Sequence, residues 1–428
     1  MISRWRWNLR QFLEQLWVVA LLYTCVGVAT AFLAPTISPF LPAGLGSTLG
    51  TDAVEAVLTI LASSMLAVVT FSLGIMVSAF SAASSSVTPR ATALLKADKT
   101  TQRVLSIFLG SFLFSLVGII ALKAGVYGDG DRFVLFMVTG LVVAVIVITI
   151  LRWIAHLTVF GLMDDTIAKV EVAAREALSQ RMENPFLGGN LFAGSPPTTA
   201  KVIKQPRIGY LCHVDVAKLQ EVAERRQVKI YLAVLPGSFV HPARPVMWID
   251  RDQKNYDAAN DDDQALFCEA LTIADGRSFD QDPRFGLAVL AEIAERALSP
   301  AVNDPGTAID ILGRAIRLLA PWADKKDPDV RFTNVWVPPL TVADAFEDIF
   351  APISRDGAGL FEVQIRLQKA LLTLTQIRPE LFGQAAADCS AQAITRSKER
   401  MLASEQSRLE AIAAEIVQTA KPTPSKPI

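Results

Sequence analysis

The sequence predicts a helical membrane protein, in which four transmembrane helices are followed by a cytoplasmic α+β domain with a small β-barrel-like segment and a C-terminal helical bundle. Two observations favour this fold class. The chain is 51% hydrophobic and only 19% charged, with a mean hydropathy of +0.36, whereas soluble domains carry about 25% charged residues. The charges are almost absent from the first third of the chain and dense after it.

Four charge-poor intervals predict the membrane helices. Roughly 20 apolar residues cross a hydrocarbon core. The first interval follows the basic stretch MISRWRWNLR, which is also typical of a signal peptide, but its apolar run is long for that role and we interpret it as an uncleaved helix. The four predicted spans cover about residues 16–34, 54–82, 104–122 and 133–151.

The basic residues predict the orientation of these spans, because positively charged loops stay on the cytoplasmic side. Three arginines precede the first span, four basic residues lie from Arg90 to Arg103 between the second and third, and Arg152 follows the fourth. The loop after the first span has no charge. We therefore expect a multi-pass protein of the bacterial cytoplasmic (inner) membrane, with both termini in the cytoplasm.

The second span is longer than a membrane requires. Its charge-free interval of about 34 residues would form about 50 Å of helix, against a hydrocarbon core of about 30 Å. Helical spacing places Gly74, Ser78, Ser81 and Ser85 on one face. This face indicates either close helix packing, with hydroxyls bonded to their own helix, or the polar mouth of a pore that several subunits share.

Two acidic residues, Asp52 and Glu55, stand at the outer end of the same span. One interpretation places them at the membrane interface. If they instead face the axis of an oligomer, they would form an acidic ring that favours cations.

Changes in composition divide the rest of the chain. A Pro/Gly-rich stretch separates an amphipathic helix from a β-rich part, and a long helical part follows. The predicted domains are a transmembrane domain at 1–160, the amphipathic helix and linker at 161–200, the barrel-like segment at 201–250, a cytoplasmic helical domain at 251–420 and a disordered tail at 421–428.

The barrel-like segment is predicted from two β-rich runs on either side of Pro236-Gly237, a pair that favours a hairpin turn. The arrangement resembles the small swapped-hairpin barrels that carry biotin or lipoyl groups. Those carriers present a lysine at a hairpin tip, and the stretch PGSF has none. We therefore expect a structural or ligand-sensing barrel.

The helical part contains a double break at RALSPAVNDPGTAID. Pro300 ends one helix, and Asp304-Pro305 caps the next one. The structural interpretation is a tight helix–helix connection; in the functional alternative, Ser299, Asn303 and Asp304 face a ligand or a neighbouring subunit. We expect later helices at Thr341–Phe350, Gly359–Ile377 and Ala385–Thr419.

Several stretches resemble one bacterial family of membrane proteins, the domain of unknown function 2254. They are TFSLGIMVSAFSAASSSVTPRATALLKADKTTQRVLSIFLGSFLFSL, RIGYLCHVDVAKL, LPGSFVHPARP and RSFDQDPRFGLAVLAEIAERALSPAVNDPGTAID. They follow the family's order and cover most of the chain from about Val54 to Leu319; this chain departs from the family at Ala82 to Val87 and at Gly306. The resemblance implies an integral inner-membrane protein with a cytoplasmic domain, and it implies no activity.

Three classes of function are compared with the sequence features. The first is an oligomeric channel or transporter-like protein with a cytoplasmic vestibule or regulatory domain. Four spans leave little room for a path inside one subunit, so this function implies a homo-oligomer with its path on the symmetry axis. The alternative is a membrane-anchored sensor or scaffold that binds a ligand or partner through its cytoplasmic domain. For an enzyme we find no catalytic constellation, phosphate loop or metal spacing.

Composition also bears on partners. The formal net charge of −1 gives no bulk attraction for nucleic acid. The four cysteines are far apart and the three histidines are scattered, which favours neither a zinc site nor a disulfide framework. We therefore expect no metal, cofactor or nucleic acid; the expected partners are the lipid bilayer, further copies of the chain, and a small ion or a cytoplasmic ligand.

Overall fold

The computed structural model describes residues 16–37, 51–96, 98–251, 261–324 and 328–420. The chain divides into two compact units, Met1–Thr166 and Ile167–Ile428. Three predicted features lie outside the described residues: the arginines before the first span, the uncharged loop after it and the tail 421–428.

The first unit is helical in its described part. Three of its helices are long and apolar enough to cross a membrane, which confirms the second, third and fourth predicted spans by length and composition. The apolar segment described in the first helix, Leu21–Ala34, is shorter than the roughly 20 residues that a crossing needs, so the first span stays a prediction. The helices are α1 Leu16–Ile37, α2 Thr51–Ser86, α3 Pro89–Lys96, α4 Lys99–Lys123 and α5 Asp129–Leu157.

Helix α4 is the most buried of the three long apolar helices, and small residues explain its close packing. A Cβ atom on Gly110 would lie 2.7 Å from Cβ of Tyr23 in α1, and one on Gly118 would lie 3.0 Å from Cδ1 of Leu58 in α2. Small residues at such crossings let helix backbones approach. Ser115 is fully buried there and satisfies its hydroxyl by donating to the Ser111 carbonyl at 2.9 Å.

Polar contacts also connect helices within this unit. The indole Nε1 of Trp153 in α5 donates to the Ser72 hydroxyl of α2 at 3.0 Å. Asp98 caps α4 by accepting from the Thr101 amide at 2.8 Å, and its Oδ2 lies 3.1 Å from Nε2 of His156. Each of these contacts joins residues more than 50 positions apart or fixes a helix start, so they specify how the bundle is arranged.

The second unit combines strands and helices. It contains all of helix α6 except its first four residues, which belong to the first unit. Its first part consists of α6 Met163–Glu183, β1 Gly189–Leu191, β2 Lys201–Lys204, β3 Gly209–Val214, α7 Val216–Arg226, β4 Val228–Leu232, β5 Phe239–Val240, β6 Pro245–Arg251, α8 Asp261–Cys268 and β7 Leu271–Ala274. The remaining elements are α9 Pro283–Ala297, α10 Pro305–Leu319, β8 Phe332–Val337, α11 Val342–Asp356, α12 Phe361–Ile377, α13 Pro379–Ser397 and α14 Ala403–Thr419.

The strands form two sheets, so the predicted barrel-like segment is wrong. The five-stranded sheet has the order β1-β8-β4-β6-β2, and the three-stranded sheet has the order β5-β3-β7. In β4, Val228, Ile230 and Leu232 point into the core while the residues between them are half-buried. Residues 201–250 cannot cover this apolar face alone, and strands β1, β7 and β8 from elsewhere in the chain complete the sheets.

The turn at Pro236-Gly237 is present, and the β-rich runs on either side of it pair with each other only in part. Strand β4 before the turn pairs with β6, whereas β5 after it pairs with β3 of the other sheet. Gly237 has φ +96°, a backbone conformation that glycine adopts at little cost. The turn therefore carries the chain from one sheet to the other.

The helical prediction holds for most of the C-terminal half. Leu287, Leu290 and Ile293 of α9 are fully buried, as their one-sided spacing predicts. The single long helix predicted over Ala385–Thr419 is wrong, because the chain breaks after Ser397 and restarts at Ala403. The second of these helices is capped at its start, because the Leu402 amide donates to the Glu405 carboxylate at 3.1 Å.

Candidate functional site

The small-residue face of α2 is not covered by the rest of the described chain. Gly74, Ser78 and Ser81 are all exposed. A Cβ atom built on Gly74 would have no described heavy atom within 4 Å. The backbone places Ser85 in the last turn of α2, and its side chain lies outside the described part. Within one chain, this face is open to lipid or to another molecule.

Of the two acidic residues at the other end of α2, the structure describes the side chain of one, Glu55. Glu55 forms an ion pair with Lys123, with 2.7 Å between Oε1 and Nζ. The side chain of Asp52 lies outside the described part. The Glu55 carboxylate is therefore neutralised by a partner in its own chain, which weakens the case for a ring of free acidic charge.

The helix junction between α9 and α10 uses its own polar groups. The Ser299 hydroxyl donates to the Arg296 carbonyl at 2.7 Å, and the Asn303 amide donates to the Ser299 carbonyl at 2.8 Å. Asp304 caps α10, because its Oδ1 accepts from the Thr307 amide at 3.1 Å. The Thr307 hydroxyl also donates to Asp304, which lowers the pKa of this carboxyl. These bonds support the structural interpretation of the junction.

A cavity of about 350 Å³ in the second unit was not predicted from the sequence. Its walls come from the end of α6, the chain from β4 to the Pro236-Gly237 turn, the start of α9 and the segment that leads into α11. Three arginines line it, and we call it the arginine cavity. The lining residues are Arg181, Ala233, Val234, Leu235, Pro236, Gly237, Ser238, Arg277, Asp282, Pro283, Arg284, Pro338, Leu340 and Asp344.

Arg181 is the unusual member of this set. It lies in the last turn of α6 and only 4% of it is exposed. Within the described chain, none of its three guanidinium nitrogens has a hydrogen-bond acceptor. Burial lowers the pKa of Arg181 to about 10, and the nearby Asp282 opposes that shift. The guanidinium still carries its charge at neutral pH, without a bonded counterion.

The other two arginines are paired. Arg277 donates from Nε to Oδ2 of Asp282 at 2.7 Å and lies over the ring of Phe285. Arg284 donates to both carboxylate oxygens of Asp348, at 2.5 and 3.0 Å, and its Nη1 lies 3.1 Å from Asp344. Their charges are therefore balanced inside the protein.

The Asp282 carboxylate is buried, and both of its oxygens accept hydrogen bonds from the protein. It is 1% exposed and caps α9, since its Oδ1 accepts from the amides of Arg284 and Phe285. A Cβ atom on Gly237 would lie 2.3 Å from its Oδ2, so only glycine fits at this turn. Burial raises the pKa of Asp282, and the hydrogen bond from Arg277 opposes the rise. The carboxylate therefore positions the walls of the cavity.

The sequence gives only a partial signal for this site. The stretches LPGSFVHPARP and RSFDQDPRF, which carry part of the family resemblance, are more than 30 positions apart and meet at the cavity. Arg181, by contrast, ends an amphipathic helix, where a basic residue normally faces solvent and the helix dipole. Its burial depends on tertiary packing that the local sequence does not encode. Among the described residues, no group of three His, Cys, Asp or Glu could hold a metal ion.

Comparison with known proteins places the chain in a family. The family model described as a predicted membrane protein with the domain of unknown function 2254 matches residues 13–373. The uncharacterized protein Mb1321c of Mycobacterium bovis is 27% identical over 363 residues, which cover 82% of this chain and 69% of that protein. The same values hold for the uncharacterized protein Rv1290c of Mycobacterium tuberculosis. No solved structure matches the chain significantly. The chain therefore belongs to the family of membrane proteins that carry the domain of unknown function 2254.

Proposed function

We propose that this chain is a homo-oligomeric, channel or transporter-like protein of the bacterial inner membrane, with a cytoplasmic unit that regulates it. The observation that carries the proposal is the open small-residue face of α2. In one chain, Gly74, Ser78 and Ser81 are exposed on a helix of 36 residues, which is long for a single crossing. Hydroxyl groups on such a face gain hydrogen-bond partners or water if copies of the chain meet there.

The proposal includes α1 as a fourth crossing and places both termini in the cytoplasm. Helix α1 packs tightly on α4, since a Cβ atom on Gly27 would lie 3.4 Å from side-chain atoms of Phe114 and of Val117. Its exposed side chains include Phe32, at 77%. A helix that packs on a membrane-crossing helix and exposes large apolar side chains fits a lipid environment better than an aqueous one.

Cysteine cross-linking on α2 tests the oligomer. In a parent that carries Cys25→Ala, Ser78→Cys should form intermolecular disulfides in membranes faster than Val77→Cys. Val77 is the matched control, because it is 65% exposed on the same helix and points about 100° away. Equal rates for the two positions, or no cross-linking beyond the parent, would contradict a contact between copies at this face.

Conduction needs a separate measurement. The purified oligomer, reconstituted into planar bilayers, should pass current, and Ser78→Leu should reduce it because a large apolar side chain would narrow and dry the path. Bilayers that stay electrically silent after verified insertion would remove the channel while leaving the oligomer intact.

A second candidate function is a membrane-anchored sensor that binds a ligand through its cytoplasmic unit. The arginine cavity favours it, because a buried, unpaired guanidinium beside an open volume is a common feature of ligand sites. Ligand binding to the purified protein without any conductance would favour this candidate over the first.

A further inference from the structure

We propose that the arginine cavity binds a small molecule through an oxyanion group, a phosphate or a carboxylate, with Arg181 as the residue that pairs with it. The proposal deepens the sensor candidate by naming the class of ligand. It depends on the second unit alone and does not require the first unit to conduct.

Arg181 is buried in an energetically unfavourable state, because its charge has no hydrogen-bonded partner among the described residues. A charged group taken out of water is strongly unfavourable unless it is paired and hydrogen-bonded. Arg181 is 4% exposed, and within the described chain its Nε, Nη1 and Nη2 have no acceptor. Buried polar groups are nearly always satisfied by protein, water or an ion, so an unsatisfied guanidinium calls for a partner in the cavity that it lines.

No carboxylate of the cavity forms a hydrogen bond with Arg181, although the charge of Asp282 is close enough to raise the pKa of Arg181. Oδ2 of Asp282 accepts from Arg277, and Oδ1 of Asp282 accepts from two backbone amides at the start of α9. Asp344 and Asp348 both pair with Arg284. The protein thus supplies counterions for two of the three arginines and leaves the third for an incoming anion.

The donors of Arg181 and the walls of the cavity restrict the shape of the ligand. A guanidinium presents its N–H donors in a planar fork that matches two oxygens of one phosphate or carboxylate group. A volume of about 350 Å³ is at the small end of ligand sites, which range from roughly 300 to 1,000 Å³. Pro236, Pro338 and Leu340 give the cavity apolar wall, whereas Asp282 and Asp344 repel additional negative charge. A small molecule with one anionic group and an apolar body fits these walls best.

The test uses the full-length protein purified in detergent, at constant ionic strength, with inorganic phosphate, phenyl phosphate and benzoate as probes. Isothermal titration and thermal unfolding should show saturable binding of at least one probe to the wild-type protein. Comparing the affinities of the two phosphates with that of benzoate shows whether the site prefers a phosphate or a carboxylate. Comparing the affinity of phenyl phosphate with that of inorganic phosphate measures the contribution of the apolar wall. If none of the three probes binds, the proposal is wrong.

Two substitutions assign the binding to Arg181. Arg181→Met should abolish saturable binding, and Arg181→Lys, which keeps the charge but loses the planar fork, should raise the Kd at least tenfold. Arg366→Met is the matched control, because Arg366 is exposed on α12, and it should bind like the wild type. A rise in Tm that is equal in wild type and Arg181→Met would be a general salt effect and would overturn the proposal.

The Tm without any probe separates a ligand-binding arginine from a structural one. If Arg181 has no internal partner, Arg181→Met removes an uncompensated buried charge, and the Tm should stay the same or rise. A lower Tm in the absence of probe would show that Arg181 stabilises the fold through its own contacts, and the proposal would fail. Neither result depends on bilayer recordings, so this proposal and the channel proposal can fail separately.

Discussion

Gly286 of α9 lies directly against Ala174 of α6: a Cβ atom on Gly286 would be 2.3 Å from the Ala174 Cβ and 2.7 Å from its Cα. Ala174 is fully buried, and its Cβ and Cα have positions fixed by the backbone, so they cannot rotate away. The absent side chain therefore sets how closely these two helices of the second unit approach.

This contact predicts that Gly286→Ala destabilises the protein. Overpacking of this kind costs about 1–3 kcal/mol of the free energy of unfolding. The matched control is Gly313→Ala in α10, where the nearest atom to a new Cβ is a side-chain nitrogen of Arg317 at 3.9 Å. That substitution should stabilise by up to about 1 kcal/mol, because alanine favours helices over glycine. Thermal unfolding of the two variants should shift in opposite directions, and equal shifts would contradict the close contact.

A second prediction concerns Glu171, which is 6% exposed and accepts hydrogen bonds from Arg314 and Arg317 at 2.9 to 3.0 Å. The bond from Arg317 is the main cause that lowers the pKa of Glu171 to about 2, from an ordinary value of 4.5. Glu171→Gln should lower the free energy of unfolding at pH 7 by at most about 3 kcal/mol. Glu176→Gln, at an exposed position on the same helix, is the control.

The pH dependence of the Glu171 effect has a definite sign. A carboxyl whose pKa is depressed on folding stabilises the protein above its unfolded value, and this stabilisation is lost as the pH falls through the folded value. The difference between the wild type and Glu171→Gln should therefore be largest above pH 4.5 and disappear towards pH 2. A difference that does not change over this range would mean that the network is held by packing and not by charge.

A third prediction concerns the hydrogen bond between Trp153 and Ser72 in the first unit. Ser72 is 1% exposed, so Ser72→Ala leaves the indole N–H without its acceptor. The expected loss is about 1 kcal/mol of unfolding free energy. Ser63→Ala is the control, since the Ser63 hydroxyl is on the same helix and, among the described residues, bonds to carbonyls of its own helix, at Thr59 and Ile60. If both variants unfold at the same temperature, this bond does not hold α2 to α5.

A fourth prediction distinguishes the two interpretations of the helix junction. Asp304→Ala removes the cap of α10 and should cost about 1 kcal/mol, whereas Asp304→Asn keeps an acceptor and should cost only a few tenths. The measurement is again the thermal unfolding of the purified chain. An unchanged stability in Asp304→Ala would remove the capping interpretation and favour a role in binding.

Local signals in the sequence predicted local structure well. Asp304 caps the helix that it was predicted to start, and Asp215 and Asp282 cap two other helices in the same way. Three of the four predicted spans meet the length and hydropathy of a membrane helix, because a long apolar run without charge has few other stable conformations.

Pairing between distant segments was not predictable in the same way. Of the two runs around Pro236-Gly237, the first forms β4 and pairs with β6 at the end of the second, whereas β5 at the start of the second run pairs with β3 in the other sheet. The arginine cavity depends on the same long-range arrangement, since Arg181, the Gly237 turn and Asp282 are brought together only by the packing of the second unit. Composition specifies which segments form strands, while the competition for partners decides which strands pair.

The position of β8 in its sheet has a consequence for biosynthesis. β8 lies between β1 and β4, although it is made about 100 residues after β4. At about 5–20 residues per second, the nascent chain waits roughly 5–20 s for this strand to leave the ribosome. During that interval β1 and β4 present unpaired edges, which are templates for aggregation. Chaperone occupancy on the nascent chain should therefore be concentrated between the synthesis of β4 and that of β8, and truncated chains that stop before residue 332 should aggregate.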